Sequence, residues 1–126
     1  MTFATTRLPA HPTETAPDGS AVRVLLGLTN GTMAHFEWAA GATSRAATHR
    51  TVEEVWFVLS GRGELWREQA GREEVVALEP GVCVTLPLGT RFQVRASQAH
   101  AVGVVSVTIP RWPGDSEVQF VSGPWS

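Results

Sequence analysis

His49 and Glu54 stand five positions apart in the stretch Ala47 to Gly61, A-T-H-R-T-V-E-E-V-W-F-V-L-S-G, which otherwise reads as a buried strand. An imidazole and a carboxylate carried into apolar surroundings are costly unless each finds a partner, so such a pair marks a place for chemistry. Enclosure tends to raise a carboxyl pKa and lower an imidazole pKa, which brings both toward neutrality and suits them to act as general acid and base. Glu54 and His49 are therefore the candidate catalytic residues. The alternative is that they satisfy each other as a hydrogen-bonded pair and do nothing more. Glu53 points to the opposite face, as a solvated charge or a pair for Arg50.

The elements that must carry them follow from periodicity and turn chemistry. An apolar, β-branched run from Ala21 to Thr29 stops at Asn30-Gly31, the strongest hairpin signal in the chain, and a second strand follows from Thr32 to Trp38. On that strand Met33, His35 and Glu37 share one face and Ala34, Phe36 and Trp38 the other, which leaves His35 either solvated or lining a pocket. Strands then recur over Val55–Leu59, Gly63–Glu68, Glu73–Leu78, Val82–Leu86, Arg91–Arg95 and Ala101–Ile109, separated by Ser60-Gly61, Ala70-Gly71, Pro80-Gly81 and Pro87 to Thr90. This rhythm, with no sustained helical period, predicts an all-β sandwich or barrel.

The flanks read differently. Residues 1–19 hold three prolines and no period, and predict an extended arm with a short edge strand near Phe3 to Leu8. Residues 20–109 form the barrel. Residues 110–126 form a tail over its outside, with Trp112 and Trp125 as anchors and a last edge strand over Val118–Val121.

Composition excludes several partners. Net charge is −2 and the ten Arg residues are scattered, so no stripe exists for a nucleic acid backbone to follow. No segment approaches the ~18 apolar residues of a membrane span, and no signal-peptide core is seen, so the expected location is the cytoplasm. The lone Cys83, between Val82 and Val84, is expected to be a small buried hydrophobe. Arg used to the exclusion of Lys, with abundant Ala, Val and Gly, points to a bacterial source.

The residues around the pair resemble the cupins, small antiparallel jelly-roll barrels with a first motif G(X)5HXH(X)3,4E(X)6G and a second motif G(X)5PXG(X)2H(X)3N. Gly41, Ala47, His49, Glu54 and Gly61 stand at the spacing of the first, and Gly81, Pro87 and Gly89 open the second. The resemblance implies an all-β, cupin-type antiparallel jelly-roll barrel of a single domain. It places Glu54, Trp56 and Val58 on the interior face, joined by Phe92 and Val94, with Ala47 and His35 as further candidates to line the pocket.

In the family, the motif histidines and glutamate converge on a divalent metal, for which manganese, iron, nickel, zinc and copper all suit imidazole and carboxylate ligands. Here Ala47 replaces the first histidine, Phe92 the histidine of the second motif and Ala96 its asparagine. Only His49 and Glu54 remain as candidate metal ligands, where three or four are usual. His35, His100 or a partner chain are the conceivable replacements, and no metal is the favoured expectation.

The resulting expectation is an enzyme acting on a small organic molecule in an aromatic pocket with a degenerate metal site, by isomerisation, cyclisation or elimination. A metal-dependent oxygenase or isomerase is one alternative, and a non-catalytic binding or sensor barrel another. By family resemblance, the Pro-rich arm and surplus Trp residues are expected to serve a homodimer.

Overall fold

The computed structural model describes residues 2–126. Eleven strands make two facing antiparallel sheets. They are β1 (Glu14–Thr15), β2 (Ala21–Leu28), β3 (Gly31–Trp38), β4 (Ala47–His49), β5 (Glu53–Gly61), β6 (Gly63–Gln69), β7 (Arg72–Leu78), β8 (Cys83–Leu86), β9 (Arg91–Ala96), β10 (Val102–Ile109) and β11 (Val118–Phe120), with one 3-10 turn at Asp115–Glu117. The six-stranded sheet runs β1-β2-β3-β10-β5-β8 and the five-stranded sheet β11-β4-β9-β6-β7.

Strict alternation builds the interior. Along β5, Glu54, Trp56 and Val58 are buried while Glu53, Val55 and Phe57 are exposed. Val58, Val94, Val102 and Val104 are completely buried and, with Leu65 and Leu78, fill one end of the barrel. Packing to native density at that end leaves room for a ligand only at the other.

The turns follow the residues that demand them. All four motif glycines, Gly41, Gly61, Gly81 and Gly89, have positive φ, where other residues are strained. Gly61 is the most constrained, because a Cβ there would lie 1.7 Å from the Ala101 carbonyl oxygen. Pro87 directly follows the last residue of β8, where the ladder no longer needs an N–H.

Three expectations need correction. Phe3 to Leu8 is no edge strand; those residues are exposed, and the arm first pairs at β1, where Glu14 faces Val22. Cys83 is exposed, since β8 turns it to the outer face beside Phe57. Trp112 turns inward onto His49 at 5.2 Å between ring centroids and does not cover the barrel. Of the two alternatives for Glu53, the structure takes the solvated one: Glu53 is exposed, and Arg50 donates to the Ser116 carbonyl instead.

Candidate functional site

The pair is assembled from both sheets. Glu54 is the second residue of β5, in a cross-strand row with Thr108 of β10, Thr32 of β3 and Leu86 of β8. His49 ends β4 in the opposite sheet, where it faces Val118 of β11. Only Arg50 to Val52 separate the two strands, and a buried carboxylate, Glu117, clamps that turn. Its oxygens accept the Thr51 N–H at 2.5 Å, the Thr51 hydroxyl at 2.6 Å and the Val52 N–H at 2.7 Å. Burial pushes the Glu117 carboxyl up, but these donors outweigh it and hold the group below the ordinary glutamate value.

His49 Nδ1 lies 3.0 Å from Glu54 Oε2. Glu54 Oε1 accepts the Ser106 hydroxyl at 2.5 Å and the Trp56 indole N–H at 3.0 Å. The carboxylate is thus held by three donors from three side chains. Burial again pushes its carboxyl up, but the hydrogen bond and charge of His49, with Ser106 and Trp56, outweigh burial and lower its pKa. The direction is opposite to that expected from desolvation alone. Glu54 is a carboxylate at neutral pH, suited to orient and stabilise a cation and poorly suited to donate a proton.

When the imidazole is neutral, the accepting carboxylate fixes its proton on Nδ1. Nε2 then carries the lone pair and has no hydrogen-bond partner among the described residues. The ring is held edge-on between Phe92 at 5.3 Å and Trp112 at 5.2 Å.

Both groups line one cavity of about 290 Å³, together with Trp38, Ala47, Trp56, Phe92 and Trp112. Its aromatic walls continue one another: Trp38 packs on Trp56 at 5.6 Å, and Trp56 meets Phe92 edge-on at 6.0 Å. Hydroxyls stand along one side, where Thr32 and Thr108 bond to each other and the Trp112 N–H donates to Thr32 at 3.2 Å. Glu14 and Asp18 of the N-terminal segment, with Arg111 and Asp115 of the tail, stand around it.

The cavity thus brings together Glu54, His49, Trp56, Phe92 and Ala47, and leaves out three expected lining residues. Val58 and Val94 are core, with neither exposed at all, because they lie deeper along the same strand faces. His35 is buried but points from the other face of β3, where Arg23 NH1 lies 3.4 Å from its Nδ1. Burial and the Arg23 cation lower its pKa, with Glu37 opposing. It is neither solvated nor in the pocket.

Ser106, Thr108, Trp112 and Glu117 belong to the site although the sequence does not single them out for it. Ser106 and Thr108 carry a readable signal, two polar residues at alternate positions on the inward face of an otherwise apolar strand. Trp112 and Glu117 carry none, because their place depends on how the tail folds back.

The residues do not fit the divalent metal that the resemblance implies. Ala47 and Phe92, which oppose each other on β4 and β9, carry no donor atom. His49 and Glu54 spend Nδ1 and Oε2 on one another, and Glu54 Oε1 already faces two donors. Among the described residues no three His, Cys, Asp or Glu side chains come together as a ligand set. His100 is exposed in its turn and His35 is on the wrong face, so neither replaces the missing ligands.

Residues 34–108 match the family model of the cupin domain. Among curated proteins, none matches the sequence. Solved structures of similar shape include a conserved protein with a double-stranded β-helix domain from Klebsiella pneumoniae, at a TM-score of 0.73 and 16% identity over 97% of this chain and 100% of that one. A Streptomyces PAC13 variant with uridine has a TM-score of 0.74 and 16% identity over 96% and 92%. KdgF from Halomonas sp. has a TM-score of 0.67 and 18% identity over 79% and 87%. The family model spans more than half of the 126 residues, and the two facing antiparallel sheets are those of its barrel, so the chain belongs to the cupin family.

Proposed function

We propose that this cupin is a small-molecule enzyme working by proton transfer, with His49 Nε2 as the atom that takes and returns the proton. Glu54 orients the ring and stabilises its cationic form. The observation that carries this reading is the saturation of the Glu54 carboxylate by His49, Ser106 and Trp56, which leaves Nε2 as the basic atom of the pair available to the cavity.

In an isomerisation, Nε2 takes a proton from one carbon of the substrate and the imidazolium returns it to a neighbouring atom. In an elimination, the proton taken by Nε2 leaves with the departing hydroxide as water, and the ring is restored to neutrality. A cyclisation uses the same shuttle: Nε2 takes the proton of a hydroxyl or amine as it adds to an activated double bond of the same molecule, the π bond breaks, and the imidazolium returns the proton to the carbon left electron-rich. All three close their proton balance on the substrate itself.

The substrate class that suits the walls is a small, partly apolar molecule carrying a ring, with hydroxyl or carbonyl groups toward Thr32, Thr108 and His49. The uridine held by PAC13 supports this choice at the level of shape, since a barrel of the same fold admits a hydroxylated ring compound.

A screen across that class tests the reading. Purified protein is incubated in D2O with a panel of cyclic hydroxylated and carbonyl compounds, and products are followed by mass spectrometry for deuterium uptake or loss of water. Turnover of at least one compound is expected, falling by about 10²- to 10⁴-fold in His49→Gln. A hit that His49→Gln converts as fast as the wild type would contradict the proposed role. Tight binding of ring compounds with neither exchange nor product would instead support the sensor reading.

A further inference from the structure

The cavity is charged unequally along its length. Glu14 and Asp18, which both line it, stand where β2 begins: Glu14 faces Val22 in the ladder, and Asp18 bonds to Ser20 just before the strand. Arg111, the one guanidinium in the lining, stands where β2 ends. Its terminal nitrogens lie 3.0 and 3.2 Å from where a Cβ on Gly27 would be, and Nη1 donates to the Leu28 carbonyl. The length of β2 keeps the two ends on the order of 20 Å apart, well beyond the ~8 Å over which salt screens exposed charges. The guanidinium therefore does not neutralise the carboxylates, and neither Glu14 nor Asp18 has an ion-pair partner among the described residues.

The turn before β2 accounts for only one of the two Asp18 oxygens. Oδ1 accepts the Ser20 N–H at 2.9 Å and the Ser20 hydroxyl at 2.7 Å, as an aspartate in a turn ordinarily does. Oδ2 has only the Trp38 indole N–H, at 3.4 Å, which is longer than an ordinary bond of that kind. A carboxylate oxygen with a single long contact keeps most of its capacity to accept. It stands at the edge of the aromatic wall. Trp38 is stacked with Phe36 at 6.3 Å and packs on Trp56 at 5.6 Å, and the Trp56 indole N–H reaches Glu54 at 3.0 Å. Two indoles thus join the spare acceptor to the pair of His49 and Glu54.

Rings and carboxylates together select a kind of guest. The face of an indole carries negative potential and attracts a cation. A carboxylate attracts the same cation and accepts its N–H bonds, which charge strengthens. A neutral hydroxyl gains the bond without the charge, and an anion is repelled by both.

We infer that Asp18 is the counter-ion of an ammonium group on the substrate. The molecule taken into the cavity is a ring compound with a protonated amine, seated against the Trp38 indole and Asp18 Oδ2, its hydroxyl or carbonyl groups reaching toward His49 and Glu54. Glu14 strengthens the field at that end. Asp18 sets specificity in this arrangement and takes no part in moving the proton. The inference deepens the proposed function and rests on the cavity being the substrate site, whichever group there transfers the proton.

Calorimetric titration with three ring compounds of nearly the same shape tests it. Phenethylamine, phenethyl alcohol and phenylacetate are each added up to about 10 mM at about pH 7, where the amine is an ammonium and the acid a carboxylate. The amine is expected to bind at least about tenfold more tightly than the alcohol, with phenylacetate the weakest. Raising sodium chloride from about 50 to 500 mM is expected to weaken the amine at least about threefold and to leave the alcohol unchanged. Asp18→Asn keeps an acceptor for Ser20 and removes the charge. It is expected to cut the preference for the amine at least about fivefold, while an unchanged affinity for the alcohol reports an intact cavity. The wild-type ranking and its salt dependence need no variant, so they test the inference even if Asp18→Asn does not fold. An alcohol or phenylacetate bound as tightly as the amine overturns the inference and leaves the proton-transfer reading in place. So does a folded Asp18→Asn protein that keeps the full preference. Absence of binding by all three compounds overturns it too. A clear preference for the amine without turnover that depends on His49 supports the ammonium seat and contradicts the proton-transfer reading alone.

Discussion

At the scale of the residue, the decisive feature is the unequal standing of the two groups in the pair. A buried carboxyl alone is driven toward its neutral form, but Glu54 meets three donors and stays ionised. Glu54→Gln keeps the shape and removes the charge, so it should lower turnover by about 10²-fold or more while leaving substrate affinity nearly unchanged. Ser106→Ala removes one of the three donors and should cost about tenfold or less. The ratio of the two effects, measured on the same substrate, separates loss of the charge from loss of one supporting bond. The depressed Glu54 and Glu117 groups also fix a pH dependence. A group whose folded pKa lies below its unfolded value contributes stability that is present above the unfolded value, 4.5 for both, and lost as pH falls through the folded value. Melting temperature should therefore drop on acidification below about pH 4.5, and the slope should flatten in the double Gln variant.

At the scale of the element, the short turn between β4 and β5 sets where His49 stands relative to Glu54. Glu117 holds that turn from the C-terminal segment through Thr51 and Val52. Glu117→Gln should cost about 1 to 3 kcal/mol by calorimetry, since an amide cannot accept from all three donors. It should also lower activity without touching the cavity. At Gly61, a Cβ meets backbone and not a movable side chain, so Gly61→Ala should cost more than about 3 kcal/mol or prevent folding, as judged by soluble yield and thermal melt. The strands from Ala21 to Ile109 are legible in the sequence because alternation and turn residues act locally: Asn30-Gly31 makes its hairpin, and Glu54, Trp56 and Val58 point inward by period two. Less legible is depth along a strand, so the pattern alone assigns Val58 and Val94 to the wall of a pocket whose floor they underlie. Nor can alternation tell which face of β3 His35 occupies. Least legible is the tail, where Trp112 and Glu117 are placed by contacts of long sequence separation that no local pattern encodes.

At the scale of the whole molecule, two sheets divide the labour. One end of the space between them is packed solid by Val58, Leu65, Val94, Val102 and Val104 and holds the fold together. The other end stays open, walled by aromatic rings, with one imidazole and one carboxylate brought there from opposite sheets. Ala47 and Phe92, at two ligand positions of the family's motif, present hydrocarbon to the cavity, and in the proposed reading the His49–Glu54 pair beside them moves protons. The measurement closest to this account is the protonation site of the His49 ring, read by long-range 15N–1H NMR of protein labelled at histidine. At a pH where the ring is neutral, the wild type is expected to carry its proton on Nδ1 and leave Nε2 bare, and Glu54→Gln is expected to lose that preference. A ring protonated on Nε2, or the same tautomer with and without the Glu54 charge, would contradict it.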